Sequence, residues 1–376
     1  MYKEIGFFPN LNSLRFFAAM LVLFHHGEVI RAKNNFVSFE NSSFFLNGGS
    51  AVKFFFVLSG FLITYLLLKE KQQTKSIDIS AFYFRRVIRI WPLYFLLTAI
   101  GIVVFPLLFS YLKIDYTFPY TFGQSWYLFL LFIPSVVTFK YGSHLLEPLW
   151  SIGVEEWFYL LWAPLFKWLK KPLLFIVGIL VLKLLLLLAV QFNGIEAPLA
   201  VHFIKTYAFE SMAIGGLGAY FLFHTSADLK KIYHKYRWIN IPLLFLAVTY
   251  VFFNASLDGY IQLPFFKTWL FNWIALNLVF LNVILYCAVV MPATSWLNNT
   301  WLDAAGKISY GIYMYHMLVI FVGIHFLKKY LLLLPAGLSF MAFYAFVIGG
   351  TLLTAYLSKK YFEDFFMQYR NKVGTK

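Results

Sequence analysis

Short basic loops divide the sequence into repeated apolar stretches, each about 20 residues long. A helix of that length crosses the hydrocarbon core of a bilayer. Of the 376 residues, 61% are hydrophobic and 12% are charged, and no soluble globular fold tolerates that balance. The sequence therefore predicts an all-α fold, a polytopic integral membrane protein built as a helical bundle.

The lysines and arginines predict how the chain crosses the membrane. Residues 69–89 form the densest basic stretch, and the positive-inside rule places it, and hence the N-terminus, in the cytoplasm. If the short apolar piece 126–139 also crossed, every later basic loop would face outward, so a re-entrant or interfacial segment is predicted there. This choice gives about ten transmembrane helices with both the N- and C-termini cytoplasmic.

The predicted membrane-spanning stretches are residues 11–27, 51–68, 91–110, 149–166, 172–190, 202–223, 239–253, 269–290, 308–326 and 338–357. Residues 31–50 and 254–266 are expected to be exposed loops. Residues 1–376 are expected to form a single transmembrane domain, with no cleaved leader before it and no fused soluble domain after it.

The net charge of +15 would suggest a nucleic-acid partner in a soluble protein. Here the basic residues lie in short loops between spans, so the charge indicates orientation in a lipid bilayer, and no nucleic acid is expected as a partner. Cys287 is the single cysteine, which excludes a disulfide framework and a thiolate metal site within the chain. No metal is expected.

Arg15, His25 and His26 interrupt the first apolar stretch, NLNSLRFFAAMLVLFHHGE. Ionisable side chains within a spanning helix are costly and normally face a cavity or a partner. On a helix, the step from Arg15 to His26 returns to within about 20° of the same direction, whereas His25 lies roughly 80° away. Arg15 and His26 are therefore predicted to line one inward stripe. The alternative is that Arg15 reaches the membrane surface and both histidines are interfacial.

The segment FRRVIRIWPLY contains Arg85, Arg86 and Arg89 at spacings that bring their guanidinium groups toward one helix face. Guanidinium groups bind phosphates bidentately, so a cluster at the inner membrane boundary suits a phosphate-bearing ligand. Binding of lipid headgroups and orientation of the helix are the simpler alternative.

Two further stretches place polar residues in apolar surroundings. Glu155 and Glu156 enter an apolar run in EPLWSIGVEEWFYLLW, where a carboxylate needs a cation, a hydrogen-bond donor or a chemical role. Capping of a helix N-terminus is the alternative for one of them. In GKISYGIYMYHMLVI, Tyr310, Tyr313 and His316 recur every third residue and form one stripe, which indicates either a cavity lining or buried packing.

Five stretches together resemble the acyltransferase 3 family of multipass membrane O-acyltransferases. They are LNSLRFFAAMLVLFHH, FFFVLSGFLI, FRRVIRIWPLY, WSIGVEEWFYLLW and GKISYGIYMYH, and they occur in the family's order from the first predicted span to the ninth. The resemblance implies an enzyme that transfers an acyl group, most often acetyl, from cytoplasmic acyl-CoA to a sugar hydroxyl outside. It also implies residence in the inner membrane of a bacterial cell.

The resemblance assigns roles to particular residues. The family's arginine and histidine fall on Arg15 and His26, and its acidic residue falls on Glu155. These three are the expected catalytic residues, with His26 as general base or acyl carrier, Arg15 stabilising negative charge, and Glu155 orienting His26 or the acceptor. Many family members have an aspartate where this sequence has Lys53, so no role is assigned to Lys53.

The donor and the cavity are expected to use the other polar residues. The residues expected to bind acetyl-CoA are Arg85, Arg86 and Arg89. Those expected to line the substrate cavity are His25, Glu156, Tyr310, Tyr313 and His316.

The expected partners are acyl-CoA and a carbohydrate acceptor such as O-antigen, capsule or exopolysaccharide. A membrane transporter or flippase of a glycan or small metabolite could need the same buried Arg, His and Glu residues, but it has no need for a cytoplasmic cluster of arginines. A polymerase or ligase that acts on lipid-linked sugars is the other alternative. The sequence indicates no oligomeric state.

Overall fold

The computed structural model describes residues 2–42, 44–114, 116–245, 249, 269–292 and 294–372, and the regular elements in these ranges are all helical. The prediction of an all-α chain is confirmed for these residues. The α-helices are α1 Leu11–Lys33, α2 Gly48–Thr74, α3 Ile79–Ala99, α4 Phe105–Tyr111, α5 Phe122–Leu130, α6 Ser135–Tyr141, α7 Leu149–Trp168, α8 Pro172–Gln191, α9 Pro198–Thr206, α10 Phe209–His224, α11 Leu229–Lys235, α12 Trp269–Leu285, α13 Thr300–Lys307, α14 Ser309–Leu331, α15 Ala336–Ser358 and α16 Asp364–Met367.

Six helical stretches in the described ranges are long and apolar enough to cross a bilayer. They are Leu11–Lys33, Gly48–Thr74, Ile79–Tyr111, Pro172–Gln191, Ser309–Leu331 and Ala336–Arg370. The shortest has 20 residues, which at about 1.5 Å per residue matches the roughly 30 Å thickness of the hydrocarbon core. These helices fit a polytopic membrane protein.

The chain forms two compact units, each built from three separated segments. Unit 1 comprises Met1–Ile77, Leu169–Gly194 and Ala208–Ser309. Unit 2 comprises Asp78–Trp168, Ile195–Tyr207 and Tyr310–Lys376. The polar residues predicted in the first apolar stretch therefore belong to unit 1, and the arginine cluster and the paired glutamates belong to unit 2.

Two helices of unit 1, α2 and α10, approach each other through glycines. A Cβ added at Gly60 would lie 1.9 Å from the carbonyl oxygen of Met212. A Cβ added at Gly215 would lie equally close to the carbonyl oxygen of Val57. Small residues let membrane helices pack backbone against backbone. Any side chain at either glycine would therefore push α2 and α10 apart.

Aromatic side chains fill the interior of unit 2 beside α3. The ring of Tyr94, which is fully buried, stacks on Phe132 with centroids 4.6 Å apart. The Tyr94 hydroxyl donates to the Phe129 carbonyl at 2.9 Å, so the last turn of α5 is fastened to α3. Phe132 lies between α5 and α6 with a φ of 55°, in the left-handed region.

The stretch 126–139, predicted to be re-entrant or interfacial, falls on two short helices. These are α5, with nine residues, and α6, with seven. At about 1.5 Å per residue neither exceeds about 14 Å, so neither crosses a bilayer alone.

The ends of α1 and α3 differ from the sequence prediction. Residues 31–50 were expected to form an exposed loop, but α1 continues to Lys33 and only 1% of Arg31 is exposed. The reason is that Glu28, one turn earlier, neutralises Arg31. α3 begins at Ile79, because the Asp78 side chain caps it by accepting from a backbone N–H of the first turn. The arginine cluster therefore lies inside this helix rather than before it.

Two later predicted spans do not correspond to single helices of the described residues. The predicted span 202–223 is broken between α9 and α10, at Tyr207 and Ala208, where the sequence has no glycine or proline to indicate a break. Residues 246–248 and 250–253 of the predicted span 239–253, and the whole predicted loop 254–266, lie outside the described residues.

Candidate active site

The polar residues predicted on α1 lie on one regular helix of unit 1. Because α1 is unbroken, the eleven-residue step keeps Arg15 and His26 on one face, within about 20°. Arg15, His25 and His26 are all half-buried. The rings of His25 and His26 meet edge to face with centroids 5.2 Å apart, so the two histidines form a contacting pair.

Arg15 belongs to a polar network near the start of α1. Its Nη1 lies 3.4 Å from Asn12 Oδ1, and Asn12 Nδ2 donates to Asp303 Oδ1 at 2.8 Å. Lys307 contacts the other oxygen of Asp303 at 2.6 Å. Partial burial favours a higher pKa for the Asp303 carboxyl, but hydrogen bonds from Lys307 and Asn12 outweigh it and lower this pKa. Asp303 therefore stays ionised and fixes Asn12 beside Arg15.

His25 is held by the backbone that precedes α2. Its Nδ1 lies 2.7 Å from the carbonyl oxygen of Phe45, and because a carbonyl only accepts, Nδ1 bears the proton. Nε2 is then the basic nitrogen of the neutral ring. The ring also lies against Gly48, where an added Cβ would come within 2.5 Å of it. The imidazole of His25 is thus restrained on two sides.

Arg86, on α3 of unit 2, lies over an aromatic ring. The carbon of its guanidinium group is 5.7 Å from the ring centroid of Tyr159. Arg85 and Arg89 are close enough to repel it electrostatically, and Glu155 attracts it. Its Nε has no hydrogen-bond partner among the described residues. Arg86 is therefore oriented by an aromatic contact and retains a donor that a ligand can use.

The two glutamates of α7 accept different hydrogen bonds. Glu155 Oε2 accepts from the Tyr159 hydroxyl at 2.8 Å, and Glu156 Oε2 accepts from the Trp91 indole N–H at 2.9 Å. Glu156 Oε1 is buried and has no hydrogen-bond partner in the described part of the chain. Because α7 begins at Leu149, neither carboxylate lies in its first turn, so the capping alternative is wrong.

A cavity of about 410 Å³ in unit 2 is lined by Arg86 and Glu156. Its other walls are mostly aromatic and aliphatic and include Trp91, Phe132 and Tyr159. Small-molecule sites typically enclose about 300–1,000 Å³ and have a few polar groups in apolar walls. The cavity matches that pattern, with a guanidinium group and a carboxylate as its charged groups.

The predicted stripe on α14 lies in the interior of unit 2. The Tyr310 hydroxyl donates to the Ile90 carbonyl, and the Tyr313 hydroxyl donates to the Pro148 carbonyl, both at 3.0 Å. His316 is fully buried, and its Nδ1 donates to the Tyr313 carbonyl at 2.6 Å. None of the three is among the described residues that line the 410 Å³ cavity. Their hydrogen bonds instead fasten α14 to α3 and to the start of α7.

Two buried ion pairs of unit 1 were missed by the sequence analysis. Arg31 Nε lies 3.1 Å from Glu28 Oε1, and the two side chains are 1% and 0% exposed. Lys183 Nζ of α8 lies 3.0 Å from Glu210 Oε2 of α10, with 8% and 1% exposed. Lys53 of α2 lies within electrostatic reach of Glu210. One feature of the sequence could have revealed these pairs. A single charged residue inside an apolar stretch is energetically costly unless it has a partner of opposite charge.

The predicted residues thus gather into two groups, one in each unit. In unit 1, α1 carries Arg15 and the contacting pair of His25 and His26, with about 16 Å of helix between Arg15 and His26. In unit 2, Tyr159 contacts both Arg86 and Glu155, and Glu156 shares a cavity with Arg86.

Comparison with known proteins identifies the family of the chain. Residues 8–359 match the family model described as an acyltransferase domain. The chain belongs to the acyltransferase 3 family. In this acyltransferase 3 domain, the residues of the first motif lie in unit 1, and the arginine cluster and glutamates lie in unit 2. No solved structure is significantly similar to the chain.

Two bacterial proteins illustrate the similarity of this acyltransferase 3 domain to curated relatives. The peptidoglycan O-acetyltransferase OatA of Listeria monocytogenes is 26% identical over 327 residues, which cover 83% of this chain and 49% of that protein. The O-acetyltransferase OatA of Staphylococcus aureus is 26% identical over 344 residues, which cover 86% of this chain and 52% of that protein. The chain therefore spans about half the length of the curated relatives it matches.

Proposed function

We propose that this protein is a membrane O-acetyltransferase that moves an acyl group, most often acetyl, from cytoplasmic acyl-CoA to a hydroxyl of an extracytoplasmic carbohydrate. The observation that supports this best is the cavity lined by Arg86 and Glu156, in a chain of the acyltransferase 3 family. The names of the relatives favour acetyl as the group transferred, and that of the Listeria protein favours peptidoglycan as acceptor. O-antigen, capsule and exopolysaccharide remain the other acceptors proposed.

The arginine cluster is the proposed binding site for the donor. Arg86 has a guanidinium nitrogen without a hydrogen-bond partner among the described residues, and Arg89 is exposed, so both fit a phosphate ligand. Arg85 is the third member. The apolar walls of the cavity suit the thin pantetheine arm, and Glu156 Oε1 would accept from one of its amide N–H groups. Acyl-CoA supplies an activated thioester when it is bound.

His26 is the proposed general base. It would remove the proton of the acceptor hydroxyl as the oxygen attacks the thioester carbonyl, and the thiol of coenzyme A would leave. Attack by His26 itself, which would then hold the acyl group, is the covalent version of the same transfer. Arg15, which lies about 16 Å along α1 from His26, would stabilise the donor or developing negative charge along its route, and Glu155 would serve as the acidic residue that orients the reacting groups.

We extend the proposal to the arrangement in the membrane. The chain would cross the bacterial inner membrane about ten times, with both termini cytoplasmic and the stretch 126–139 re-entrant. The short lengths of α5 and α6 support the re-entrant segment, and the basic loops support the orientation. Residues 1–376 would act as one acyltransferase domain.

Transfer of radiolabelled acetyl from acetyl-CoA to peptidoglycan fragments, in vesicles containing the protein, tests the proposal. We expect transfer by the wild type and a loss of about 10²- to 10⁴-fold in His26→Ala, the range for removal of a general base. Arg86→Gln should raise the KM for acetyl-CoA. His224→Ala is the matched control, because this histidine is exposed in the same unit and should retain full activity.

Two outcomes would contradict the proposal. One is no transfer by the wild type even when O-antigen, capsule and exopolysaccharide are supplied as acceptors. The other is full activity of His26→Ala. Glycan export without acyl transfer would favour the transporter or flippase, which a buried set of Arg, His and Glu residues also suits.

A further inference from the structure

The segment between α1 and α2 contacts the histidine pair through its backbone. The Phe45 carbonyl accepts the Nδ1 proton of His25 at 2.7 Å, and Gly48 packs against the same ring. The side chain of His25 is therefore set by residues that follow it by about twenty positions, and not by α1 alone.

The same segment is anchored to α1 by a buried ion pair. Arg31 Nη2 donates to the Val37 carbonyl at 2.8 Å, and Glu28 accepts from the Phe39 backbone N–H. Arg31 and Glu28 also contact each other at 3.1 Å and are almost fully buried. Both charges are thereby used to hold the backbone beyond the end of α1 in one conformation.

Aromatic contacts connect this anchor to the histidines. The rings of Phe39 and Phe45 stack at 22° with centroids 6.2 Å apart. Phe45 in turn accepts the hydrogen bond from His25, whose ring contacts His26 edge to face. A continuous series of contacts therefore leads from the ion pair on α1 to His26.

We propose that His25 is a positioning residue for His26, held in one tautomer and one orientation by Phe45 and Gly48. The inference rests on the proposed function, in which His26 is the general base. A restrained ring beside His26 limits the directions in which the His26 imidazole can turn. Misplacement of a reacting group by about 1 Å can cost about 100-fold in rate, so such a restraint matters for transfer.

Three substitutions of His25 test this role, because they differ in the hydrogen bond that they can offer Phe45. Asparagine places an amide N–H near the position of Nδ1–H, whereas glutamine places it one carbon further out and alanine has none. We expect His25→Ala and His25→Gln to lower kcat about 10- to 100-fold, with an unchanged KM for acetyl-CoA. His25→Asn should recover much of that loss. Its pH–rate profile should parallel that of the wild type, because His26 still transfers the proton.

Two kinetic results would overturn the proposal. If His25→Asn is as impaired as His25→Ala and its pH–rate profile loses a limb, His25 itself moves a proton. If all three variants are as active as the wild type, His25 has no role.

Gly48→Ala is the second probe of the same contact. It should lower kcat as His25→Ala does, because the added methyl group displaces the ring.

A readout that needs no activity separates failure of this inference from failure of the proposed function. Nitrogen-15 NMR of histidine-labelled protein in nanodiscs reports which ring nitrogen bears the proton, and His25→Asn identifies the His25 signals by their loss. We expect Nδ1 of His25 to bear a proton, because it faces the Phe45 carbonyl. A ring protonated only at Nε2 would overturn the positioning contact whatever the assay shows. The expected tautomer without any acyl transfer would refute only the proposed function.

Discussion

Buried charges are arranged differently in the two units. In unit 1, Lys183 and Glu210 contact each other directly, and at most 8% of either side chain is exposed. In unit 2, Arg86 and Glu156 line a cavity, and each has one buried atom without a hydrogen-bond partner among the described residues. Unsatisfied buried polar atoms, which lower stability, occur in both units, because both oxygens of Glu210 also lack a hydrogen-bond partner among the described residues. The units differ in that Lys183 and Glu210 contact each other, whereas Arg86 and Glu156 line a cavity without forming an ion pair.

The difference separates two uses of charge in an apolar protein. A direct ion pair brings opposite charges into contact and specifies which helices pack together, here α8 against α10, although both oxygens of Glu210 lack a hydrogen-bond partner among the described residues. A guanidinium group and a carboxylate held apart by aromatic neighbours keep donor and acceptor capacity for a ligand. The buried pair of unit 1 therefore joins two helices, whereas the separated charges of unit 2 suit the proposed ligand.

Removal of one partner from the unit 1 pair should have the largest effect. Lys183→Met removes the cation that contacts Glu210 and leaves only Lys53, among the described residues, within electrostatic reach of it, and breaking a buried pair in this way typically costs about 3–5 kcal/mol. We expect a correspondingly large fall in the free energy of unfolding. This loss of stability is measured by heating the detergent-solubilised protein and using size-exclusion chromatography to determine how much folded protein remains.

The double variant Lys183→Met, Glu210→Leu is the matched control for that loss. It removes both charges and should restore much of the stability, because no buried ion is left unpaired. Equal destabilisation in the single and the double variant would mean that the lost packing, and not the unpaired carboxylate, is responsible. The Lys183–Glu210 ion pair would then not be what stabilises unit 1.

Sequence alone predicts helices well here and their ends less well. The six long apolar helices follow from hydropathy, since a bilayer requires internal hydrogen bonding of the backbone. The end of α1 was misplaced because hydropathy counts Glu28 and Arg31 as two separate charges, whereas they neutralise each other on one helix. The partnership of Lys183 with Glu210 joins two helices and depends on tertiary packing, which no local pattern contains.

The candidate site was predictable to a similar extent. Helical phase indicated that Arg15 and His26 share a face, because α1 is regular. The hydrogen bond of His25 to Phe45 could not be predicted, since it depends on the backbone conformation of the segment before α2. The part played by Tyr159 could not be predicted either, since its burial and its contacts with Arg86 and Glu155 depend on how α3 and α7 pack.

Neutralisation of Glu156 should have an intermediate effect, on activity rather than on stability. Glu156→Gln keeps an acceptor for the Trp91 N–H but removes the charge from the cavity. We expect kcat/KM to fall about 10- to 100-fold, the range for loss of a hydrogen bond to a charged group, with little change in thermal stability. The acetyl-transfer assay and the unfolding measurement together check this.

Glu196→Gln is the control for Glu156→Gln, because Glu196 is an exposed glutamate of the same unit. It should change neither quantity. If Glu156→Gln loses stability and keeps its activity, the Glu156 carboxylate has a structural role, as the Lys183–Glu210 pair has in unit 1. The proposed difference between the two units would then be wrong.

His144 is a buried polar group of unit 2 that lies outside the membrane-spanning stretches and makes no ion pair with any described residue. Its Nδ1 accepts from the Leu146 backbone N–H at 3.2 Å and lies 3.0 Å from the Tyr120 hydroxyl. Its Nε2 lies 3.2 Å from the Thr138 hydroxyl. Burial lowers the pKa of His144 from its ordinary value to about 3, so the ring is neutral at physiological pH.

Acidification should therefore weaken unit 2 slightly through His144. Because the folded-state pKa lies below the unfolded value of about 6.5, the unfolded chain takes up a proton that the folded chain does not between pH 6.5 and pH 3. A shift from pH 7.5 to pH 5.5 should lower the free energy of unfolding by about 1.4 kcal/mol through this residue. Thermal unfolding at both pH values, in the wild type and in His144→Gln, measures it as the difference between the two proteins. An identical pH response in both would show that the ring is protonated as readily in the folded chain as in the unfolded one. Burial would then not hold the His144 imidazole in its neutral form. Its effect on the pKa of His144 would be smaller than the contacts of the ring imply.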